Sequence, residues 1–144
     1  MEQKINNEKV VVVAAALIKK EDKFLLTKSF KWSDKWSIQG GKIEVGEKSE
    51  ETTKREILEE TNLNIKNLKL IKVAEEIFPK EYHKKKHFIF FEYLADYESG
   101  EIKLNEEHQE HGWFTLNEAL KLDLNEPTRN LINHVIPLIY SKKR

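Results

Sequence analysis

GKIEVGEKSEETTKREILEETNL, residues 41–63, carries the densest chemistry in the chain. Ser49 is a helix-capping residue type, and Glu50 and Glu51 suit the positive end of a helix. Asn62 readily takes the left-handed conformation that stops one. Together they place a helix over about Glu50 to Thr61. On it Glu56, Glu59 and Glu60 stand at i, i+3 and i+4, which crowds three carboxylates into one turn. Left alone they repel one another. A hard divalent cation makes such a group favourable, and magnesium in particular takes oxygen ligands while keeping waters that substrate phosphates can replace. By spacing alone, a solvated acidic face on a surface rich in Lys and Glu is the competing reading.

The pattern around the acids is longer than the cluster. Gly41 is followed by five residues, Glu47, seven residues, Arg55-Glu56-Ile57, one residue, Glu59-Glu60, one residue, and Asn62-Leu63. Chance would produce it in on the order of one in 10^5 chains of this composition. This stretch resembles the box of the Nudix hydrolase family and differs from it at Asn62, where the family has glycine. Asn is the next-best residue for a left-handed helix stop, so the carboxylates should stay in place. Gln39 stands where relatives often carry Pro before the Gly-Gly pair.

The resemblance implies an α/β (α+β) fold of the α/β/α sandwich type, a mixed β-sheet between helices with the box as a loop-helix-loop unit, and one domain over residues 1–144. It implies that Glu56, Glu59, Glu60 and the carbonyl of Gly40 bind Mg²⁺, with Mn²⁺ as a substitute, and that Arg55 and Glu47 orient them. Many relatives place a further acid on a loop before a Trp-containing strand. Here Glu107 is the first choice and Glu110 the second, either as a metal ligand or as the base for the attacking water. The implied reaction is hydrolysis of a nucleoside diphosphate linkage, in the MutT-like manner a nucleoside triphosphate, oxidised purines included, to the monophosphate and pyrophosphate. A dinucleoside polyphosphate or ADP-ribose hydrolase and a non-catalytic nucleotide-sensing module are the alternatives. Homodimers are common among such proteins.

Working outward, Val10 to Ile18 and Lys23 to Lys28 read as two strands joined tightly, and Gly40-Gly41 as a turn of unusual backbone geometry. Beyond the box, Leu68 to Phe78 and His87 to Tyr97 read as strands flanking a charged tip, Pro79 to Lys86. Gly112 to Phe114 reads as a short strand and Leu116 to Leu122 as a short helix. Asn125-Glu126-Pro127 starts a last helix whose apolar face, Leu131, Ile132, Val135 and Ile136, ends or kinks by Pro137.

Substrate contacts are sought outside the box. Asn125 matches the MutT-like residue that reads a purine edge, and it is equally a helix cap. Phe30 and Trp32, among charged residues, are candidates for stacking on a base. Trp36 and Trp113 read as core. Lys28 and Lys42 are candidates for phosphate, whereas Lys84-Lys85-Lys86 reads as a solvated tip. His83 and His87 lack a third ligand for zinc.

Bulk composition agrees with a small enzyme. A chain of 144 residues hides roughly 68–70% of its unfolded surface. Twenty-five basic and twenty-five acidic residues cancel, so no global field draws it to a nucleic acid polymer or an anionic membrane. No cysteine is present, which excludes disulfides, thiolate catalysis and cysteine zinc sites. The apolar run Val10 to Ile18 is nine residues, too short for a bilayer, and the polar leader Met1 to Lys9 shows no cleavage-site pattern. A cytoplasmic enzyme acting on a small-molecule nucleotide is expected.

Overall fold

The computed structural model describes residues 9–140, so the leader, apart from Lys9, lies outside the described residues. The strands are β1 (Val10–Lys20), β2 (Lys23–Ser29), β3 (Lys35–Ser37), β4 (Gln39–Lys42), β5 (Asn64–Ile77), β6 (His87–Ser99) and β7 (His108–Phe114). The helices are α1 (Ser49–Thr61), α2 (Leu116–Leu120) and α3 (Glu126–Tyr140), with a 3-10 turn at Phe30–Trp32. All strands belong to one sheet of order β3-β2-β1-β6-β5, in which β4 also pairs with β1 and β7 with β2. It is mixed, because β1 runs parallel to β6 and antiparallel to β2 and β4.

Strand alternation sends successive side chains of β1 to opposite faces. Leu17 joins Phe24, Leu26 and Trp36 beneath Leu116 of α2 and Leu131, Ile132 and Val135 of α3. Ala16 and Ile18 join Leu25, Leu63 and Tyr93 beneath Ile57 of α1. Each face of the sheet is covered by helix, as the α/β/α reading expects. Glu56 and its neighbours therefore hang from one layer, while the start of α3 belongs to the other. Among the described residues no helix is long and apolar enough to cross a membrane.

Several local expectations are corrected. Gly40 and Gly41 are not a turn of unusual geometry; they lie in β4, opposite Ala15 and Ala14 of β1. Glycine is needed there for close approach, since a Cβ on Gly40 would run into the backbone of Ala14 and Ala15, and one on Gly41 into the Glu56 carboxylate. Ser49 is not the helix cap. The chain turns helical one residue earlier, with Lys48 at the cap position, and the Glu51 carboxylate accepts from the Lys48 N–H at 2.9 Å. That frees the Ser49 hydroxyl to pair with the Tyr93 hydroxyl at 2.6 Å.

The last helix passes through Pro137 and runs to Tyr140. The buried side chains Leu131, Ile132 and Val135 anchor it before the proline, which sits exposed in the closing turns. Strand β5 starts at Asn64 rather than Leu68. Its first half is irregular, with Asn67 at φ 54° and register shifts against β6. Asn62 does close α1 in the left-handed conformation, at φ 68°, donating its N–H to the Leu58 carbonyl at 2.9 Å.

Candidate active site

Helix α1 presents its acids through one arginine. Arg55 grips Glu47 with two parallel bonds, Nε to Oε2 at 2.7 Å and a terminal nitrogen to Oε1 at 2.9 Å. Its other terminal nitrogen donates to Glu56 Oε2 at 2.9 Å and to Glu59 Oε1 at 3.3 Å. The fork also reaches the Lys42 carbonyl at 3.2 Å, which ties α1 to the end of β4. Planar guanidinium geometry suits this task, because it fixes several carboxylates at once through charge-assisted bonds. The Glu47 carboxyl is held down to about 2 by the Arg55 hydrogen bond, with the Thr52 hydroxyl assisting.

A second network meets the first at Glu56. Glu60 points inward, 2% exposed, and its carboxyl is pushed well above the ordinary range by burial first, then by the charges of Glu107 and Glu56. His108 Nε2 lies 3.2 Å from Glu60 Oε1, and His108 Nδ1 lies 2.9 Å from the Thr27 hydroxyl. Gln39 Nε2 donates to that same hydroxyl at 3.1 Å and to the Ser37 carbonyl at 2.9 Å. With its oxygen accepting from Gln39, the Thr27 hydroxyl has its proton for Nδ1. The imidazole then presents Nε2–H to Glu60, and every hydrogen-bonding hydrogen in the chain is used. Burial holds His108 below its ordinary pKa, consistent with a neutral ring.

Glu60, Glu107 and His108 bring ligand atoms within 4.8 Å of one another. A buried carboxyl crowded by two neighbouring acids fits a divalent cation, which removes the repulsion and takes hard oxygen donors. The space that a Cβ on Gly41 would take is already filled by the Glu56 carboxylate, so β4 leaves room for the acid.

From the acids a cleft runs across the sheet in two adjoining lobes, one larger than the other. Both are lined by Val13, Trp32, Ser37, Ile38, Gly40 and Phe90. The larger lobe adds Glu60, Glu107, His108 and Lys31, and the smaller adds Glu92, Asn125, Pro127 and Thr128. Trp32 stands at the junction, edge-on to Tyr82 with ring centroids 4.7 Å apart.

The residues singled out in the sequence thus separate. Glu47, Arg55, Glu56 and Glu59 form one connected group, and Glu60 with Glu107 another, with Gly40 beside both lobes. Glu59 is more exposed than Glu47, Glu56 and Glu60, its side chain 55% accessible. Trp32 and Asn125 reach the cleft, and Asn125 is also a cap, its Oδ1 accepting from the Thr128 N–H at 2.9 Å. Phe30 lies outside both lobes, half exposed and edge-on to His83. Lys28 faces Glu110 across β2 and β7 at 3.6 Å, so neither lines the cleft. Lys42 contributes its carbonyl to Arg55, and its side chain is exposed at the end of β4.

Three residues escaped the sequence reading. His108 sits beside the chosen Glu107, but its partner Thr27 is far away in sequence. Lys31, 2.8 Å from Glu107, lies between the two aromatics that drew attention. Glu92 gave no signal, being one acid in an apolar strand.

Comparison with known proteins places the arrangement. The family model of the NUDIX domain matches residues 8–135. Among solved structures, the MutT NUDIX hydrolase from Burkholderia pseudomallei superposes with a TM-score of 0.79 at 30% identity, covering 89% of this chain and 99% of that one. A mutator MutT protein from Bacillus halodurans gives 0.74 at 26%, covering 88% and 82%. Among curated relatives, the NAD-capped RNA hydrolase NudC of Pectobacterium atrosepticum is 33% identical over 88 residues, which is 60% of this chain and 31% of that protein. The chain therefore spans about a third of the length of that curated relative. Matched over nearly its whole length, and folded as the solved members are, the chain belongs to the NUDIX domain family.

Proposed function

We propose that the chain hydrolyses a phosphoric anhydride bond of a nucleotide with Mg²⁺ bound, and that its substrate is a nucleoside triphosphate cleaved to the monophosphate and pyrophosphate. The observation that carries this reading is the continuity of the cleft: carboxylates line one lobe, and an aromatic, an amide and a buried acid line or adjoin the other. Glu56, Glu59, Glu60 and the Gly40 carbonyl would hold the cation, with Glu107 as a further ligand. When bound, it supplies Lewis acidity and a lowered pKa for coordinated water.

The chain's own residues do the rest. Arg55 and Glu47 hold Glu56 and Glu59 in one geometry, so no reorganisation is needed when the substrate arrives. His108, braced by Thr27 and Gln39, fixes the orientation of Glu60. Glu107 takes a proton from the attacking water if it is not a ligand, and Lys31, beside it, offers a positive charge to the phosphates. Trp32 and Asn125 seat the base.

The test is a panel of ordinary and oxidised nucleoside triphosphates, diadenosine polyphosphates, ADP-ribose and NAD, with the products separated. Pyrophosphate and monophosphate from the triphosphates support the reading. Exclusive cleavage of the diadenosine polyphosphates or ADP-ribose would favour the alternative hydrolase reading, and exclusive cleavage of NAD an activity nearer to the one in the name of the curated relative NudC. No turnover of any member would sink the catalytic reading in favour of a sensing module. Glu59→Gln should cost orders of magnitude in kcat with the circular dichroism spectrum unchanged.

A further inference from the structure

Glu92 is an anomaly in the described structure. It stands on β6 among Phe90, Tyr93 and Leu94, is 1% exposed, and its Oε1 is wholly buried with no hydrogen-bond partner among the described residues. An acceptor buried without a donor costs free energy that a packed apolar side chain would not. Lys72, opposite it on β5, is the only cation among the described residues that acts on it, and Glu76 opposes that effect. Glu92 lines the smaller lobe, whose walls include Val13, Trp32, Ile38, Phe90 and Asn125. Small-ligand clefts are mostly apolar with a few polar groups that fix orientation, and this lining has that character.

The hydrogen bonds around the lobe limit what the missing donor can be. Asn125 Oδ1 is occupied by the Thr128 N–H. The Thr128 hydroxyl oxygen is occupied by the Ile38 N–H at 3.2 Å. Of the two buried side-chain oxygens without a partner among the described residues, Gln39 Oε1 and Glu92 Oε1, only Glu92 belongs to a residue lining this lobe, and its carboxyl can accept whether or not it carries a proton. Aromatic and aliphatic walls beside a buried carboxyl short of a donor fit a heterocycle that brings its own N–H₂.

We propose that Glu92 is the specificity-determining residue of this cleft, accepting a hydrogen bond from the exocyclic amino group of the bound nucleobase. The proposal rests on the nucleotide reading of the cleft and adds a substrate class to it, amino-substituted bases over their amino-free counterparts. Recognition of this kind discriminates because a ligand without the amino group leaves the buried acceptor unpaired.

The test is calorimetric titration of the whole chain, without metal, with GMP, AMP and IMP. GMP and IMP differ only by the 2-amino group, and AMP carries a 6-amino group where IMP has oxygen. The wild type should bind GMP or AMP about tenfold or more tightly than IMP, the size of one well-made buried hydrogen bond. In Glu92→Leu that ratio should collapse to about twofold or less, while Glu92→Gln, which keeps an accepting oxygen, should retain most of it. Equal affinities in the wild type, no binding of any of the three, or a ratio unchanged in Glu92→Leu would each overturn the proposal. Glu92→Gln against wild type on 2-aminopurine riboside monophosphate and its unsubstituted purine counterpart supplies an independent ratio should the Leu variant misfold. A preference for amino bases with no pyrophosphate release from any triphosphate would leave this proposal standing and remove the hydrolase reading. Hydrolysis without the preference would do the reverse.

Discussion

Glu92 carries a proton through most of the acidic range, because burial lifts its carboxyl from 4.5 to about 7 against only partial relief from Lys72. Between those two values the folded chain keeps a proton that the unfolded chain has released, so stability falls as pH rises through the interval and levels off above it. The loss is of the order of 3 kcal/mol at most. Chemical denaturation of wild type and Glu92→Gln across pH 4.5 to 8 should show the difference between the two shrinking or reversing in that window. Parallel curves would place the titration elsewhere. The residue also marks what a sequence can reveal of a site. Glu56, Glu59 and Glu60 declared themselves by helical spacing, and Arg55 and Glu47 by their distance from them. His108 and Glu92 are each set by a partner or a cavity that only the fold brings close, so neither had a local signature.

Helix α1 and strand β4 work as a pair, and glycine is what lets them meet. Gly41→Ala would drive a methyl group into the Glu56 carboxylate, so metal affinity and kcat should both fall by an order of magnitude or more. Isothermal titration with Mn²⁺ would register it, and wild-type affinity would refute the packing role. At the other end of α1, Asn62 sits at φ 68° and donates from its side chain to the Glu101 carbonyl at 3.1 Å. Asn62→Ala should cost about 1–2 kcal/mol in unfolding experiments, through the left-handed penalty and the lost bond. Asn62→Gly should cost less. The boundaries of α1 were legible to within a residue. The Gly-Gly pair was misread because two glycines in sequence mean conformational freedom more often than close approach, and only the neighbouring Ala14, Ala15 and Glu56 distinguish the two. The start of β5 was missed for a different reason: an exposed, bulged edge strand rich in Lys and Asn has no alternation to detect.

For the molecule as a whole, the resemblance of the box gave the architecture before any strand was placed, and the two covered faces of the sheet agree with it. The course of the cleft was not legible, since it depends on β1 sharing one edge between β2 and β4. Because the acids repel one another in the unliganded fold, Mg²⁺ or Mn²⁺ should raise the melting temperature in a saturable way. The gain is about 2.7 kcal/mol at a hundredfold excess over Kd, and Glu56→Gln should abolish most of it. Differential scanning calorimetry would decide, and a melting curve indifferent to either ion would count against the metal site. The separation of layers has a practical corollary. The smaller lobe rests on β1, β6 and the entrance to α3, whereas the box acids hang from α1 across the sheet. Laboratory evolution can therefore randomise Glu92 and Thr128, which line only the smaller lobe, and still harvest libraries rich in working enzymes with redirected appetites, the cutting edge left untouched while its menu is rewritten.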